Sequence, residues 1–360
     1  MRKISPMQLV MLLIFTKGYL TLIYAPFIPQ INTVSMMLVL LVSTAVQCLL
    51  VLPMLVVYEK FPNTNACDVI FHKSKILGLM VSLIYFVYFT LESVHALGSY
   101  AYYIKNNFSL NFNHFIVIGA LVLVAIYATN MGLEVIARAS VFVAIIFLIN
   151  FIIIVSSIPD GYDLYNLQVA VPYFKNPAKD FTKAVIDEIG RSAELVALLF
   201  FLPHTNKSKK AKKAVYVFLG IKLFVSLLIL FVVTTVLGNY SSYSEIPFDA
   251  VAAFATTKVI ERFDAIVLMT WTLATFIKVA LLIYISSQSL KKFSVKLKDR
   301  YSTLIAAVIA GGITMLYSYN NDWSSPVFRN LSGYIIIALG TVIPLLVCFI
   351  KKPPKEKPRI

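Results

Sequence analysis

The sequence predicts an all-α membrane protein of ten transmembrane helices, arranged as a five-plus-five inverted repeat in which helices one and six are broken. Three observations carry this. The chain is 59% hydrophobic and only 14% charged, whereas a soluble globular chain has about 25% charged residues. Apolar runs of about 20 residues, the length that crosses a bilayer, occur ten times along 360 residues. Lysine and arginine then concentrate in every second connection, as the positive-inside rule requires of an even number of crossings.

In chain order the spans are 7–28, 35–57, 76–103, 115–130, 135–157, 182–203, 214–237, 265–287, 301–319 and 331–350. The fourth is short, and the turn Thr129-Asn130-Met131-Gly132 separates it from the fifth. With the N-terminus inside, the cytoplasmic segments carry Arg2 and Lys3, then Lys60, Lys73 and Lys75, then the lysine-rich 207–213, then Lys291 to Arg300, then the basic tail. Arg2 and Lys3 precede the first apolar run without a small-residue cleavage site, so that run is expected to stay in the mature protein. Of the two long external segments, 159–181 is punctuated by prolines and is expected to be irregular. The other, 247–260, has Phe248, Val251, Ala252, Ala255 and Val259 at helical spacing. It is too short to cross, and reads either as an interfacial or re-entrant helix or as a packed loop helix.

Spans and short loops consume the chain, so a single domain over 1–360 is expected, with one repeat at about 7–158 and the other at about 182–350. Five is odd, so the second repeat runs upside down relative to the first. Such repeats place a substrate site near the midplane on interrupted helices. The net charge of +15 lies in the loops and is topological, which argues against nucleic acid as a partner. Membrane lipid is the expected surrounding. Cys48, Cys67 and Cys348 form no metal-ligand spacing. No nucleotide-binding loop, nucleophile elbow or zinc-protease motif occurs, so neither a cofactor nor an enzyme is expected.

The polar residues inside the spans are the functional signal, because a charge at membrane depth is costly and usually faces protein or water. In the third span Tyr85, Tyr88, Glu92, His95, Ser99 and Tyr102 recur every three or four residues, which places them on one helix face. Glu92 and His95, one turn apart, could relay a proton or form a hydrogen-bonded structural pair. In the first span Lys17, Thr21 and Tyr24 share a face, and Gly18 would let the backbone leave helical geometry and bind a ligand's charged ends. Lys17 could equally be a strut on an internal carboxylate. The sixth span reads Asp187-Glu188-Ile189-Gly190-Arg191-Ser192-Ala193-Glu194. Asp187, Arg191 and Glu194 fall on one face, with Gly190 and Ser192 marking an unwound joint. Asp187 and Glu188 are expected at the water interface, and Glu194 deeper. Trp271, Thr275 and Lys278 share a face of the eighth span, and Lys222 is expected to snorkel to the headgroups near the cytoplasmic end of the seventh.

The order of several weak motifs carries a resemblance along the chain. Ile4-Ser5-Pro6-Met7-Gln8-Leu9 opens it, and Gly132-Leu133-Glu134-Val135-Ile136-Ala137-Arg138 enters the fifth span. Glu194 is followed by Leu202-Pro203 and a lysine-rich loop, and Glu261-Arg262-Phe263-Asp264-Ala265 leads to Trp271 and Lys278. In this the chain resembles the spore germination permeases, the B subunits of nutrient germinant receptors of endospore-forming bacteria, a branch of the amino acid–polyamine–organocation transporter superfamily. The resemblance implies the ten-helix inverted-repeat fold, a spore inner-membrane location, sensing of a small nutrient such as an amino acid, and A and C partner subunits. A proton-coupled amino acid permease is the alternative. Lys17, Gly18, Thr21, Tyr88, Glu92, His95, Gly190, Arg191, Glu194 and Trp271 are then the expected ligand-binding set. Many superfamily members hold sodium between helices one and eight. Lys17 and Lys278 in those helices would repel it, so any coupling is expected to be to protons, through Lys17, Glu92, His95 and Lys278.

Overall fold

A computed structural model describes residues 3–17, 33–62, 64–107, 113–158, 166, 177–205, 208–242, 246–256, 263–294, 297–318 and 326–350. The described chain is helical, with a single isolated β-bridge between Ile4 and Thr205. In order the α-helices are α1 (Pro6–Lys17), α2 (Thr33–Leu50), α3 (Leu52–Lys60), α4 (Ala66–Lys73), α5 (Lys75–Asn107), α6 (His114–Met131), α7 (Leu133–Ser156), α8 (Pro177–Gly190), α9 (Ala193–Phe201), α10 (Ser208–Leu237), α11 (Pro247–Phe254), α12 (Asp264–Leu290), α13 (Asp299–Ser318), α14 (Pro326–Ile337) and α15 (Ile343–Cys348).

Among the described residues seven helical segments are long and apolar enough to cross a membrane: Val34–Lys60, Lys75–Lys105, Leu133–Ser156, Lys209–Leu237, Asp264–Phe293, Asp299–Tyr317 and Leu331–Cys348. The chain is thus a multi-pass membrane protein in its helix content. The other three expected spans have separate physical reasons for falling short of that standard. The helix at Pro6–Lys17 ends where the described residues end, the apolar run at Phe115–Met131 is short, and the sixth is interrupted between Gly190 and Ala193.

Local chemistry explains the element ends. Before α1, Ser5 Oγ accepts from the Gln8 amide at 3.2 Å and Gln8 Oε1 accepts from the Ser5 amide at 2.8 Å, a reciprocal cap that satisfies donors the helix cannot. The Ile4 amide donates to the His204 carbonyl at 2.8 Å, which fastens this N-terminal segment to the turn after α9. Gly132, at φ +96°, makes the sharp turn between α6 and α7, a backbone conformation that side chains disfavour. Near the C-terminal end, Pro344 has no amide to donate and the helix widens into a π-turn over Ala338–Val342. Tyr85 Oη takes up the Leu339 carbonyl there at 2.8 Å.

The core is built around α12, which packs against α1, α5, α6, α7, α11 and α13. A second group joins α2, α8, α10 and α14, with α1 in contact with α10 and α9 as well as α12. The segment after the described part of α10 is short: α11 rests on α10 and α12 with Phe248, Val251 and Ala252 buried, so the 247–260 segment contains a packed helix. Its Val259 lies outside the described residues. Gly190 and Gly333 bring α8 and α14 together. A Cβ on Gly190 would collide with Ser332 Oγ and the Gly333 backbone, and one on Gly333 with the Ile186 carbonyl. Close crossing through small residues is how helices gain contact in a membrane, where lipid is as apolar as leucine.

Candidate functional site

The sixth-span helix stops at Gly190 and restarts at Ala193. Two lysines hold the interruption from opposite sides. Lys17 Nζ, from the end of α1, donates to Glu188 Oε1 at 3.1 Å and to the Arg191 carbonyl at 3.2 Å. Lys222 Nζ, from the middle of α10, donates to Ser192 Oγ at 2.8 Å, Glu194 Oε1 at 2.8 Å and Gln47 Oε1 at 2.6 Å. The backbone needs this. An interrupted helix leaves amides and carbonyls without intrahelical partners, and lipid offers none. Lys17 supplies one to the Arg191 carbonyl, and Ser192 Oγ, itself held by Lys222, donates to the Glu188 carbonyl at 3.3 Å. The four charged groups are almost sealed from solvent, at 1% for Lys17, 2% for Glu188, 3% for Lys222 and 0% for Glu194. Opposite charges brought that deep must pair, since each ion alone costs several kcal/mol, on the order of the whole stability of a domain.

A third lysine adds to the cluster. Lys278 Nζ, on α12, donates to the Lys17 carbonyl at 3.3 Å. It is also the leading electrostatic neighbour of Glu92, which feels Glu194, Tyr88 and Lys17 too. His95 lies near Lys278 and Arg191, so Lys278 is common to the two residues the sequence paired. Arg191 NH1 is 3.8 Å from Glu188 Oε2. Tyr88, Glu92 and Glu194 are all buried, as their common polar faces imply.

Trp271 sits two turns toward the N-terminus of α12 from Lys278, about 10 Å along the axis. It packs against Tyr103, with ring centroids 3.9 Å apart, and against Tyr100 at 6.1 Å. Tyr103 Oη donates to Asp249 Oδ1 at 2.6 Å, tying α5 to α11. The tryptophan therefore belongs to an aromatic layer beside the charged cluster. Gly18, Thr21 and Tyr24 lie outside the described residues, as does any break at Gly18.

Two expectations are corrected. Lys222 does not snorkel. It is 3% exposed and donates to Gln47, Ser192 and Glu194, eight residues and about 12 Å into the apolar stretch that follows Lys213. A lysine stem does not reach the headgroups from there, and Glu194 neutralises it in place. Glu188 is not at the water interface: it is buried against Lys17, which pairs with it and not with Glu194. Asp187 is partly exposed. Gln47, which sequence reasoning passed over, and Lys222, Glu188 and Ser192, which it named without their partners, share one signal. Each is a polar side chain well inside or beside an apolar run, and each needed a partner from another helix to be recognised.

Comparison with known proteins adds one match. A family model described as spore germination protein matches residues 3–323, nearly the whole chain. No curated protein matches.

Proposed function

From the premise that this chain belongs to the spore germination protein family and acts in spore germination, we propose that it is the membrane subunit of a nutrient germinant receptor and binds a small nutrient such as an amino acid at the interrupted sixth-span helix. The family is of the permease and receptor type and is not an enzyme family. The observation that carries the reading is the pair of lysines from separate helices fixed on a helix break inside the membrane. Broken helices whose freed backbone and charged side chains converge at membrane depth are the form in which transporter folds hold polar ligands. Burying Lys17, Lys222, Glu188 and Glu194 costs stability that a purely structural helix crossing would avoid with apolar residues.

Around that site we place a single ten-span domain with two inverted halves, 7–158 and 182–350, and both termini cytoplasmic. The lysine and arginine alternation supports this topology. With it we propose partnership with A and C receptor subunits in the spore inner membrane, which the resemblance to germinant receptor B subunits supports. Lys17, Glu92, His95, Gly190, Arg191, Glu194 and Trp271 are the ligand-binding candidates among the described residues, with Tyr88 beside Glu92.

A proton-coupled permease is the second reading. It is favoured by the Lys278 ammonium, which donates to the Lys17 carbonyl. A cation already fixed there opposes sodium at the same place and leaves Lys17, Glu92, His95 and Lys278 as the coupling groups. Spores carrying Glu194→Gln test the main reading: they are expected to need at least tenfold more nutrient to germinate. Wild-type nutrient sensitivity in that variant, with normal protein level, would remove the joint as the site. Sodium-dependent uptake of a labelled amino acid into proteoliposomes would overturn the proton-coupled reading.

A further inference from the structure

The corner where α4, α5 and α13 meet carries more positive charge than it neutralises. Six cations lie there: Lys73 at the end of α4, Lys75 at the start of α5, Lys291 and Lys292 in the short turn after α12, and Lys298 and Arg300 at the start of α13. Two carboxylates answer them. Lys292 pairs with Asp68 of α4, and Lys291 with Asp299 of α13. Consecutive residues of one turn therefore fasten α4 and α13 together, since neighbouring Cα atoms are about 3.8 Å apart. Helix α5 packs against α4, α13 and the turn. A Cβ on Gly78 would stand 2.4 Å from Phe71 Cα, so α4 lies hard against the start of α5. Lys73, Lys75, Lys298 and Arg300 are exposed and make no ion pair among the described residues.

The same helices turn apolar directly beyond these charges. Helix α5 exposes Ile76, Met80 and Ile84, and α13 exposes Tyr301, Leu304 and Val308, each set on one helix face. Both helices are long and apolar enough to cross a membrane. From the cations to Ile84 and Val308 is roughly 12–14 Å of helix, close to half of the ~30 Å hydrocarbon layer. Charge at headgroup level above an apolar stripe one leaflet deep fits an amphiphile better than a water-soluble anion or an acidic protein. We propose that this corner is a specific site for an anionic phospholipid carrying two phosphate diesters, of the cardiolipin class. The free cations come as two pairs, Lys73 with Lys75 and Lys298 with Arg300. Each phosphate diester brings one negative charge, so a lipid with two engages both pairs and a lipid with one leaves a pair idle. Arg300 offers phosphate a planar fork and the lysines offer point charges. Basic pockets between membrane helices are where such head groups bind, and the two ion pairs fix the corner in advance, which lowers the ordering cost. Other border lysines lack this arrangement: Lys209, Lys210 and Lys213 are exposed on α10 alone, and Lys212 is paired with Glu59.

The test is native mass spectrometry of the purified, delipidated full chain, titrated with tetraoleoyl cardiolipin, dioleoyl phosphatidylglycerol and dioleoyl phosphatidylcholine. Cardiolipin is expected to bind at least fivefold more tightly than phosphatidylglycerol, with phosphatidylcholine weakest. In the combined variant Lys73→Gln, Lys75→Gln, Lys298→Gln and Arg300→Gln the cardiolipin preference is expected to be lost. The combined variant Lys209→Gln, Lys210→Gln and Lys213→Gln removes exposed charge elsewhere and is expected to keep it. A preference that survives the first variant, or falls equally in both, overturns the site, because it then follows total charge or chain number. A wild-type preference below fivefold overturns it without any variant having to fold. Displacement of cardiolipin by equimolar inorganic pyrophosphate, which shares only the phosphates, or by equimolar polyglutamate, which stands for an acidic protein, overturns the lipid assignment.

Discussion

The helices α12 and α7 are alike in length and apolar character, yet they have opposite surroundings. The most apolar stretch of α12 is 67% buried and that of α7 only 17%. Along α12 Trp271, Thr275 and Lys278 are inside, while along α7 Phe142, Ile145, Leu148 and Ile152 point outward. Hydrophobicity says that both cross; it does not say which faces protein. In water an apolar face is driven inward, but in a bilayer lipid and core are equally apolar, and packing and polar groups decide what is buried. The lesson is that the polar residues, few as they are, locate the interior of this protein.

The largest break in that contrast is expected at the lysine clamp. Lys222→Met leaves Glu194 buried without its partner and should destabilise by about 3–5 kcal/mol, read as a fall in the thermal midpoint in detergent. Adding Glu194→Gln should recover most of the loss, because a buried pair replaced as a unit is nearly neutral. If the single substitution is no worse than an outward-facing one, the interior is wet and the contrast fails.

A charge on the other helix gives the next effect. Leu148→Lys puts a lysine on the outward, apolar face of α7 and should cost about 2.5–3.5 kcal/mol of insertion free energy. Measured by glycosylation-reporter insertion, a value near zero would mean that this face meets water or a polar partner. Tyr103→Phe, which removes the bond to Asp249, should cost about 1.5–3 kcal/mol, as for hydrogen bonds to charged groups. No change in the thermal midpoint would show that the aromatic layer stands without it. Leu148→Ala is the smallest, within about 0.5 kcal/mol, and a larger loss would mean α7 is packed against something.

Outside the spans, Cys67 in α4 offers a check on burial. Desolvation pushes its thiol up to about 12, and it is 2% exposed. The thiolate is the reactive form, so a folded-state value above the ordinary one keeps the group protonated and inert through pH 8. Maleimide should label Cys67 only on unfolding; rapid labelling of the folded protein would show that α4 opens away from α5.

Much was legible in the residues. Glu92, Glu194, Lys17 and Lys278 announced themselves because a charged side chain inside an apolar run has few permissible places. The interruption after Gly190 was legible as well, although the glycine has a further reason: it admits α14 through Gly333, a contact between segments more than a hundred residues apart. The sequence by itself determined that the chain crosses a membrane repeatedly, which helix faces are polar, and roughly where the sixth span breaks, since those follow from local periodicity and the cost of charge in hydrocarbon. Only the tertiary structure decided that Lys17 pairs with Glu188 and Lys222 with Glu194. Ion pairing at close range depends on distance between helices, and helical spacing along one segment carries no record of which other segment lies beside it.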